Sequence, residues 1–425
     1  MSDAILRGPF QGYHAPRGLR EDAELTHVDR GSPAGEYLRR FWQPIAFVQE
    51  LTDLPLKVRI LGEDLVLYRD GGGRIGLLDL HCSHRGASLE YAVIGEHGLR
   101  CMYHGWRYDA DGTILQTPAG APESHECRLH HGAYPVHVFQ DLVFAYLGPP
   151  EKKPQFPSFD AARMPWVSVE PGLERTAIME CNWLQIQENG MDPVHTAFVH
   201  VLVSGTQRGF SDQMGVLPDI QFAASETGTY YIATRRVGDN VWVRIVDAML
   251  GNVNLVPPDD QRGTKAGVSQ GPFIIIWAVP MDNHTTKRFY LLLDDSRLPL
   301  KAYQRARAFG QANDRPYAER QRHPGDYEAQ VGQGAIAIHA RENLTPSDDG
   351  VRLLREVLRR EIRAVAGGSD PSGVHRDLSQ PIRTRTQNTV VFAPMAGSKE
   401  ADRERRMAIG RQVADADYRE QWPPC

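Results

Sequence analysis

The chain is short of cysteine, of long apolar runs and of concentrated positive charge, and each shortage removes a class of protein. Its 425 residues hold five cysteines, Cys82, Cys101, Cys127, Cys181 and Cys425. An odd, sparse set does not make a disulfide framework, which leaves metal ligation or plain burial. The longest strongly apolar run, Phe273 to Met281, is far short of the roughly 20 residues that cross a bilayer. The first residues, Met1 to Gly18, mix glycine, proline and charge without the apolar stretch of a secretory signal. A cytoplasmic protein with no membrane partner is expected. Lys and Arg number 48 against 53 Asp and Glu, and no basic block stands out, so nucleic acid is excluded as a partner. A hydrophobic share of 41% and a charged share of 24% describe an ordinary folded chain, long enough for two or three domains.

What the sequence does hold is two patterns in succession. From about Pro44 to Gly148, short apolar runs alternate with glycine turns, as in KVRILGEDLVLYRD and YPVHVFQDLVFAYLG, which predicts a small all-β unit. A short helix fits Ala34 to Phe41. GPPEKKPQFPSF, Gly148 to Phe159, is the linker candidate. Beyond it lie long strand-like runs, Gln221 to Val246 and Gly271 to Leu293, the second forming a hairpin about Asp282-Asn283-His284. Val351, Leu354, Leu358, Ile362 and Val365 recur at helical spacing and stop at Gly367-Gly368. The fold class expected is α+β, with domains at 1–155 and 156–425. Gly71, Gly73 and Gly76 satisfy a dinucleotide-binding glycine pattern, but a strand follows instead of a helix, so a hairpin turn is expected there.

The first constellation of chemistry-bearing residues is Cys82-Ser83-His84 followed by Cys101-Met102-Tyr103-His104. Two loops, each offering one thiolate and one imidazole, suit a tetrahedral zinc or a [2Fe–2S] cluster with two Cys on one iron and two His on the other. Zinc fingers usually pair Cys with Cys and His with His. Here each loop carries one of each, in a β setting with Gly86 and Gly105 in the loops and Trp106 alongside, which favours the cluster. Neutral imidazoles in place of two thiolates raise its potential to roughly −150 to +300 mV, against about −400 mV for plant-type clusters. HCSHRGASL and CMYHGWRYDADG resemble the two cluster loops of the Rieske non-haem iron oxygenases, in particular the oxygenase (α) subunits of the phthalate-dioxygenase-like branch. The resemblance implies that Cys82 and Cys101 bind one iron of the cluster, and His84 and His104 the other.

The second constellation is Asn189-Gly190-Met191-Asp192-Pro193-Val194-His195, then His200. Two histidines five apart are about 140° apart on an ideal helix and share no face, but Gly190 and Pro193 make a uniform helix improbable. NWLQIQENGMDPVHTAFVH resembles the mononuclear iron segment of the same family. The resemblance implies that His195 and His200 bind iron, with a distant carboxylate completing a 2-His-1-carboxylate triad that leaves positions for O2 and substrate. HARENLTPSDDGVRLLREVLRRE resembles the stretch carrying that carboxylate and selects Asp348, with Asp349 as fallback; Thr345-Pro346-Ser347-Asp348 also reads as a helix start. Asp192 is implied to bridge His104 of a neighbouring copy to His195, and Asn189 to be a polar neighbour of the iron.

The resemblance further implies a Rieske β domain followed by a helix-grip (START-like) catalytic domain, and assembly into head-to-tail homotrimers or stacks of trimers. Electrons are expected from NAD(P)H through a separate reductase, with or without a ferredoxin. The reaction expected is hydroxylation or dihydroxylation of a small aromatic substrate, with an aromatic acid favoured. Aryl-ether O-demethylation is the alternative within the family, and a Rieske electron-transfer protein or a zinc-binding structural protein the alternatives outside it. Among other residues, His125, His130 and His131 are expected as exposed loop histidines, and Cys127 and Cys181 as buried or idle. Arg208, Arg235, Arg236 and Arg244 fall where a pocket would be lined; solvated strand positions are the default, and gripping a substrate carboxylate is the functional alternative.

Overall fold

Short apolar strands broken by glycine turns give the N-terminal part three small antiparallel sheets in the computed structural model, which describes residues 8–118, 129–160, 166–168, 178–203, 212–258, 263–293, 315–377 and 381–416. β1 (Trp42–Phe47), β2 (Leu56–Ile60), β3 (Glu63–Arg69), β4 (Ile75–Asp79), β5 (Val93–Ile94), β6 (Leu99–Arg100), β7 (Arg107–Tyr108), β8 (Ile114–Gln116), β9 (Ala133–Tyr134), β10 (Val136–Phe139) and β11 (Leu142–Tyr146) follow one another. They pair as β1-β11-β10, β2-β3-β4-β9 and β5-β6-β7-β8. The three-glycine stretch is the β3–β4 hairpin, with Arg69 opposite Ile75, as the strand after it requires. The turn between β2 and β3 is at Leu61-Gly62, with Ile60 opposite Glu63. Leu61 N–H and Gly62 N–H donate to Pro280 and Met281 carbonyls, 2.9 Å each, and thereby clamp that turn to the second half of the chain.

The second half is built on one large antiparallel sheet. Its strands are β12 (Trp166–Ser168), β13 (Ile178–Met179), β14 (Asp219–Ser225), β15 (Gly228–Val237), β16 (Asn240–Met249), β17 (Val253–Val256), β18 (Val268–Gln270), β19 (Ile274–Pro280), β20 (Thr286–Leu293) and β21 (Gln387–Phe392). The main order is β12-β20-β19-β17-β16-β15-β14. β16 is the branch point: residues 240–245 pair with β21 and residues 247–249 with β17. The β19–β20 hairpin is in the place read from its apolar runs, Pro280 opposite Thr286.

Two of the helices set the layers. With α1 (Ala23–Thr26), α2 (Pro33–Leu38), α3 (Trp183–Asn189), α4 (His195–Ala197), α5 (Tyr317–Arg322) and α6 (Asp326–Val331) preceding them, α7 is Asp349–Ala366 and α8 is Lys399–Asp415. α7 buries Leu354, Val357, Leu358, Ile362 and Val365 in the main core beside Tyr231 and Ala233. This is the amphipathic stripe of the sequence, and it ends at Gly367. α8 covers the opposite face of the sheet, with Val413 and Ala414 against Ile232, Val241 and Val243. A helix laid along an antiparallel sheet on an α+β frame is the architecture expected of the second half.

The segment Asp22 to Thr26 attaches to this second half of the chain. Arg363 donates to Glu24 at 2.7 Å and Arg359 to Asp22 at 2.5 Å. Asn182 donates to the Thr26 carbonyl at 2.8 Å. Among the described residues no helix is long and apolar enough to cross a membrane.

Candidate metal centres

The two cysteine loops are built alike. In each, the N–H of a glycine four residues on donates to the cysteine carbonyl: Gly86 to Cys82 at 2.8 Å and Gly105 to Cys101 at 3.1 Å. In each, the cysteine N–H donates five residues on, to Ala87 and Trp106 carbonyls at 2.9 and 2.8 Å. Gly86 and Gly105 have φ of 73° and 75°, a left-handed turn that side chains disfavour. The repeated turn holds both thiols inward and both imidazoles outward. Cys82 and Cys101 are buried, while His84 is exposed and His104 half-buried. The two imidazoles lie 4.6 Å apart, and His84 stacks on Trp106 at 5.0 Å. Burial pushes the Cys101 thiol up, and the neighbouring Cys82 adds to the rise, the environment of two thiols gathered at one point. The donor set fits a cluster with sulfur on the inner iron and nitrogen on the outer.

His131 was expected on an exposed loop and is instead buried. One ring nitrogen meets Ser83 Oγ at 2.7 Å and the other the Asp79 carbonyl at 2.9 Å, and its ring packs on Tyr108. It braces the first cluster loop. The Tyr108 hydroxyl is 2.9 Å from Cys82 Sγ. His130 is exposed, as read; His125, Cys127, Arg208 and Cys425 lie outside the described residues. Cys181 is buried.

The second centre forms where α3 breaks. Asn182 caps its start by accepting from Leu184 N–H. At its end a Cβ on Gly190 would lie 2.4 Å from the Asn254 side chain, so only glycine lets the helix end approach β17. Asp192 Oδ1 then accepts from Val194 and His195 N–H at 2.8 and 3.2 Å, starting α4. The chain continues as a π-helix, Phe198–Val203. The wider turn, together with the break, brings histidines five apart together: their ring centroids are 5.3 Å from each other. His195 Nδ1 is engaged by the Asp192 carbonyl, which leaves Nε2 to face His200 and Asp326.

Asp326, at the first position of α6, completes the group. Its Oδ1 is 3.3 Å from His200 Nε2 and 3.7 Å from His195 Nε2, and all three ligand atoms lie within 4.8 Å of one another. Ligands about 2.1 Å from one metal and at right angles are about 3 Å apart, so the spacing fits a facial triad. Asp348, read as the third ligand, is not in this group. Its Oδ2 accepts from Thr345 N–H and Oγ1 at 2.7 and 2.8 Å, so the helix start absorbs it as a capping box. Asp349, the fallback, pairs with Arg352 and is 56% exposed. The signal for Asp326 was an acid placed with Tyr327 and Gln330 on the inward side of a short helix. The Asn189 carbonyl accepts from Asp192 N–H at 3.2 Å.

Beneath the π-helix, one face of β15 and β16 carries Tyr231, Arg235, Trp242 and Arg244, paired across the strands as Tyr231 with Val246, Ala233 with Arg244, and Arg235 with Trp242. Trp242 packs with Met214, Val390 and Val201, one residue past His200. Arg235 and Arg244 are 3% and 5% exposed, not the solvated strand positions expected. Each lies over the Trp242 ring, at 5.7 and 5.8 Å. Their described hydrogen bonds go to carbonyls, Val216 for Arg235 and Pro257 and Pro258 for Arg244. Among the described residues neither meets a carboxylate. Burial, and then the charge of Arg244, push Arg235 down to about 10, so it remains charged at neutral pH. Burial raises the Tyr231 phenol, which feels Arg244, Arg235 and Asp192 in turn. Arg236 points the other way, to Asp402.

Residues 41–139 match a family model described as the Rieske [2Fe-2S] domain. The chain is 38% identical over 409 residues to the oxygenase subunit of a tert-butanol monooxygenase / tert-amyl alcohol desaturase of Aquincola tertiaricarbonis, covering 89% of this chain and 83% of that one. It is 38% identical over 386 residues to the alpha subunit of a phenoxybenzoate dioxygenase of Ectopseudomonas oleovorans, covering 86% and 91%. Among solved structures, a caffeine-bound mutant of NdmA from Pseudomonas putida CBB5 superposes with a TM-score of 0.59 at 23% identity, over 81% of this chain and 96% of that one.

Proposed function

This chain belongs to the Rieske-type oxygenases as an oxygenase subunit, and we propose that it oxidises a small aromatic substrate bearing an anionic group, at an iron held by His195, His200 and Asp326. When bound, that iron supplies O2 activation at the positions three protein ligands leave open. The second centre is what argues against a plain electron carrier.

The chain's own residues supply the rest. Asp192 fixes His195 through its carbonyl, so that Nε2 is the ligand atom. Its carboxylate is one-third exposed, with Oδ2 3.8 Å from His195 Nδ1, which suits a bridge to His104 of a neighbouring copy in a head-to-tail trimer. Asn189 holds the turn that presents Asp192. His84 and His104, outward on their loops, suit electron entry from a separate NAD(P)H-dependent reductase. The Rieske unit is assigned to residues up to about 155 and the iron unit to the remainder, with the N-terminal helices riding on the latter.

The observation that carries the substrate class is the buried pair Arg235 and Arg244, neither of which meets a carboxylate among the described residues. Two guanidiniums out of water repel each other, and a bound carboxylate relieves both. Of two relatives at 38% identity, one is named for phenoxybenzoate and the other for tert-butanol, a neutral alcohol, so the anionic assignment rests on the two arginines. The test is O2- and NADH-dependent turnover of aromatic acids and of their neutral methyl esters by wild type and Arg244→Met. KM for the acids rises about 10- to 150-fold, the equivalent of a charge-assisted hydrogen bond of about 1.5–3 kcal/mol, while that for the esters is unchanged. Equal loss on both, or preference for the neutral compounds by wild type, overturns the anionic assignment. Incorporation of labelled O2 against formaldehyde release separates hydroxylation from demethylation.

A further inference from the structure

We propose that His81 and Arg100, the residues just before the two cluster cysteines, are a matched pair of positioning residues that lock the cluster loops. The proposal rests on the reading of Cys82, His84, Cys101 and His104 as the cluster's ligands. In the first loop His81 Nδ1 lies 3.0 Å from the Gly86 carbonyl. A carbonyl only accepts, so Nδ1 carries the proton and donates. In the second loop Arg100 Nη1 donates to the Gly105 carbonyl at 2.9 Å. Both bonds run from the residue before the cysteine to the glycine four residues after it. A histidine and an arginine at equivalent places share no sequence signature, so only the fold reveals the repeat.

Each donor stands on paired backbone. His81 bridges to Ser88, and Arg100, on β6, pairs with Val93 and Arg107. Each acceptor is the glycine at which its loop turns left-handed. Three residues separate that glycine from the cysteine, and one of them is the histidine ligand. The side-chain bond therefore ties the far end of the imidazole-bearing segment back to the paired backbone from which the segment starts. His84 is exposed and His104 half-buried, so the core does little to aim them. Hydrogen bonds behind such ligands are what orient them.

The two locks differ in charge. Arg100 Nη2 also donates to Gln116 Oε1 at 2.8 Å, and among the described residues the guanidinium meets no carboxylate. It is a fixed cation, held on the residue next to His104. Reduction adds one negative charge to the cluster, and a cation nearby favours that state. Arg100 thus acts on the potential as well as on the loop, whereas the His81 bond needs only its Nδ1–H and acts on the loop.

The test uses the cluster-loaded holoenzyme and three readouts: the EPR signal of the reduced cluster, its midpoint potential, and the rate at which a chelator bleaches its absorbance. His81→Leu and Arg100→Leu remove the bonds. His81→Asn places an amide N–H where Nδ1 stood, and Arg100→Lys keeps a cationic donor. Both leucine variants are expected to shift or broaden the EPR signal. Both are expected to bleach about fivefold faster, the factor that one hydrogen bond of about 1 kcal/mol supplies. The potential falls in Arg100→Leu and holds in His81→Leu. His81→Asn and Arg100→Lys recover what the corresponding leucine variants lose. If Arg100→Leu holds no cluster, Arg100→Gln, which removes the charge and keeps an amide, takes its place. Unchanged EPR and bleaching in both leucine variants, an unchanged potential in Arg100→Leu, or losses that neither His81→Asn nor Arg100→Lys recovers overturn the proposal. A wild type without a Rieske EPR signal overturns the ligand reading and this proposal with it; a normal wild type with unaffected variants overturns this proposal alone.

Discussion

Replacing Tyr108 by Phe deletes one hydroxyl next to the first cluster cysteine and little else. The hydroxyl is 2.9 Å from Cys82 Sγ inside a fully buried ring. Burial, with Cys82 beside it, pushes the phenol far above its ordinary pKa, so it stays protonated and serves as donor. A hydrogen bond to the sulfur of a bound cluster strengthens when the cluster takes up an electron, because the sulfur then carries more negative charge. Taking that gain as about 1 kcal/mol, within the range for such bonds, and about 59 mV per 1.4 kcal/mol for one electron, the bond raises the potential by about 40 mV. Tyr108→Phe is therefore expected to lower the midpoint potential by about 40 mV while the cluster's absorbance and EPR signals persist. The assay is a redox titration followed by EPR. A potential unchanged within about 10 mV, or one that rises, refutes the reasoning.

Two stability predictions follow from the frame that holds the centres. Leu358, 1% exposed on α7 in the main core, is expected to cost about 2–5 kcal/mol on truncation to Ala, read by denaturant melting with the cluster loaded; a loss below about 1 kcal/mol contradicts its placement. Asp70 accepts from Arg74 and Gly98 N–H at 2.8 and 3.1 Å. Burial pushes its carboxyl up, but those bonds and the Arg74 guanidinium outweigh it and hold the pKa below the ordinary value. A depressed folded pKa gives stability that is full above the unfolded pKa of about 3.9 and lost as pH falls through the folded one. The stability gap between wild type and Asp70→Asn is thus expected to close below about pH 4, and a constant gap across that range contradicts it.

Much of this molecule is legible in the chain because its chemistry is local. The cluster loops declare themselves since four candidate ligands and two turn glycines fall within 24 residues, Cys82 to Gly105, and the same turn is used twice. The α7 stripe and the β19–β20 hairpin follow from apolar period alone. What failed was non-local. Asp348 satisfies a helix cap, a demand of its own four residues, and stands outside the group formed by His195, His200 and Asp326. Asp326 is recruited by packing against a segment over 120 residues earlier, which no spacing encodes. Arg235 and Arg244 look like outward strand charges until the Trp242 ring and the carbonyls of Val216, Pro257 and Pro258 are seen to engage them. His131 is buried because the first cluster loop needs a brace, and a histidine in a glycine-flanked loop carries no mark of that.

His195, His200 and Asp326 are proposed as the catalytic iron site. The most direct measurement is iron per chain in Asp326→Ala and Asp348→Ala, with the cluster quantified by its absorbance. Asp326→Ala is expected to hold two irons, keep the full cluster spectrum and lose turnover. Asp348→Ala is expected to hold three irons and turn over, at the cost of about 0.5–2 kcal/mol of stability from the lost cap. Three irons in Asp326→Ala, or two in Asp348→Ala, would contradict the assignment.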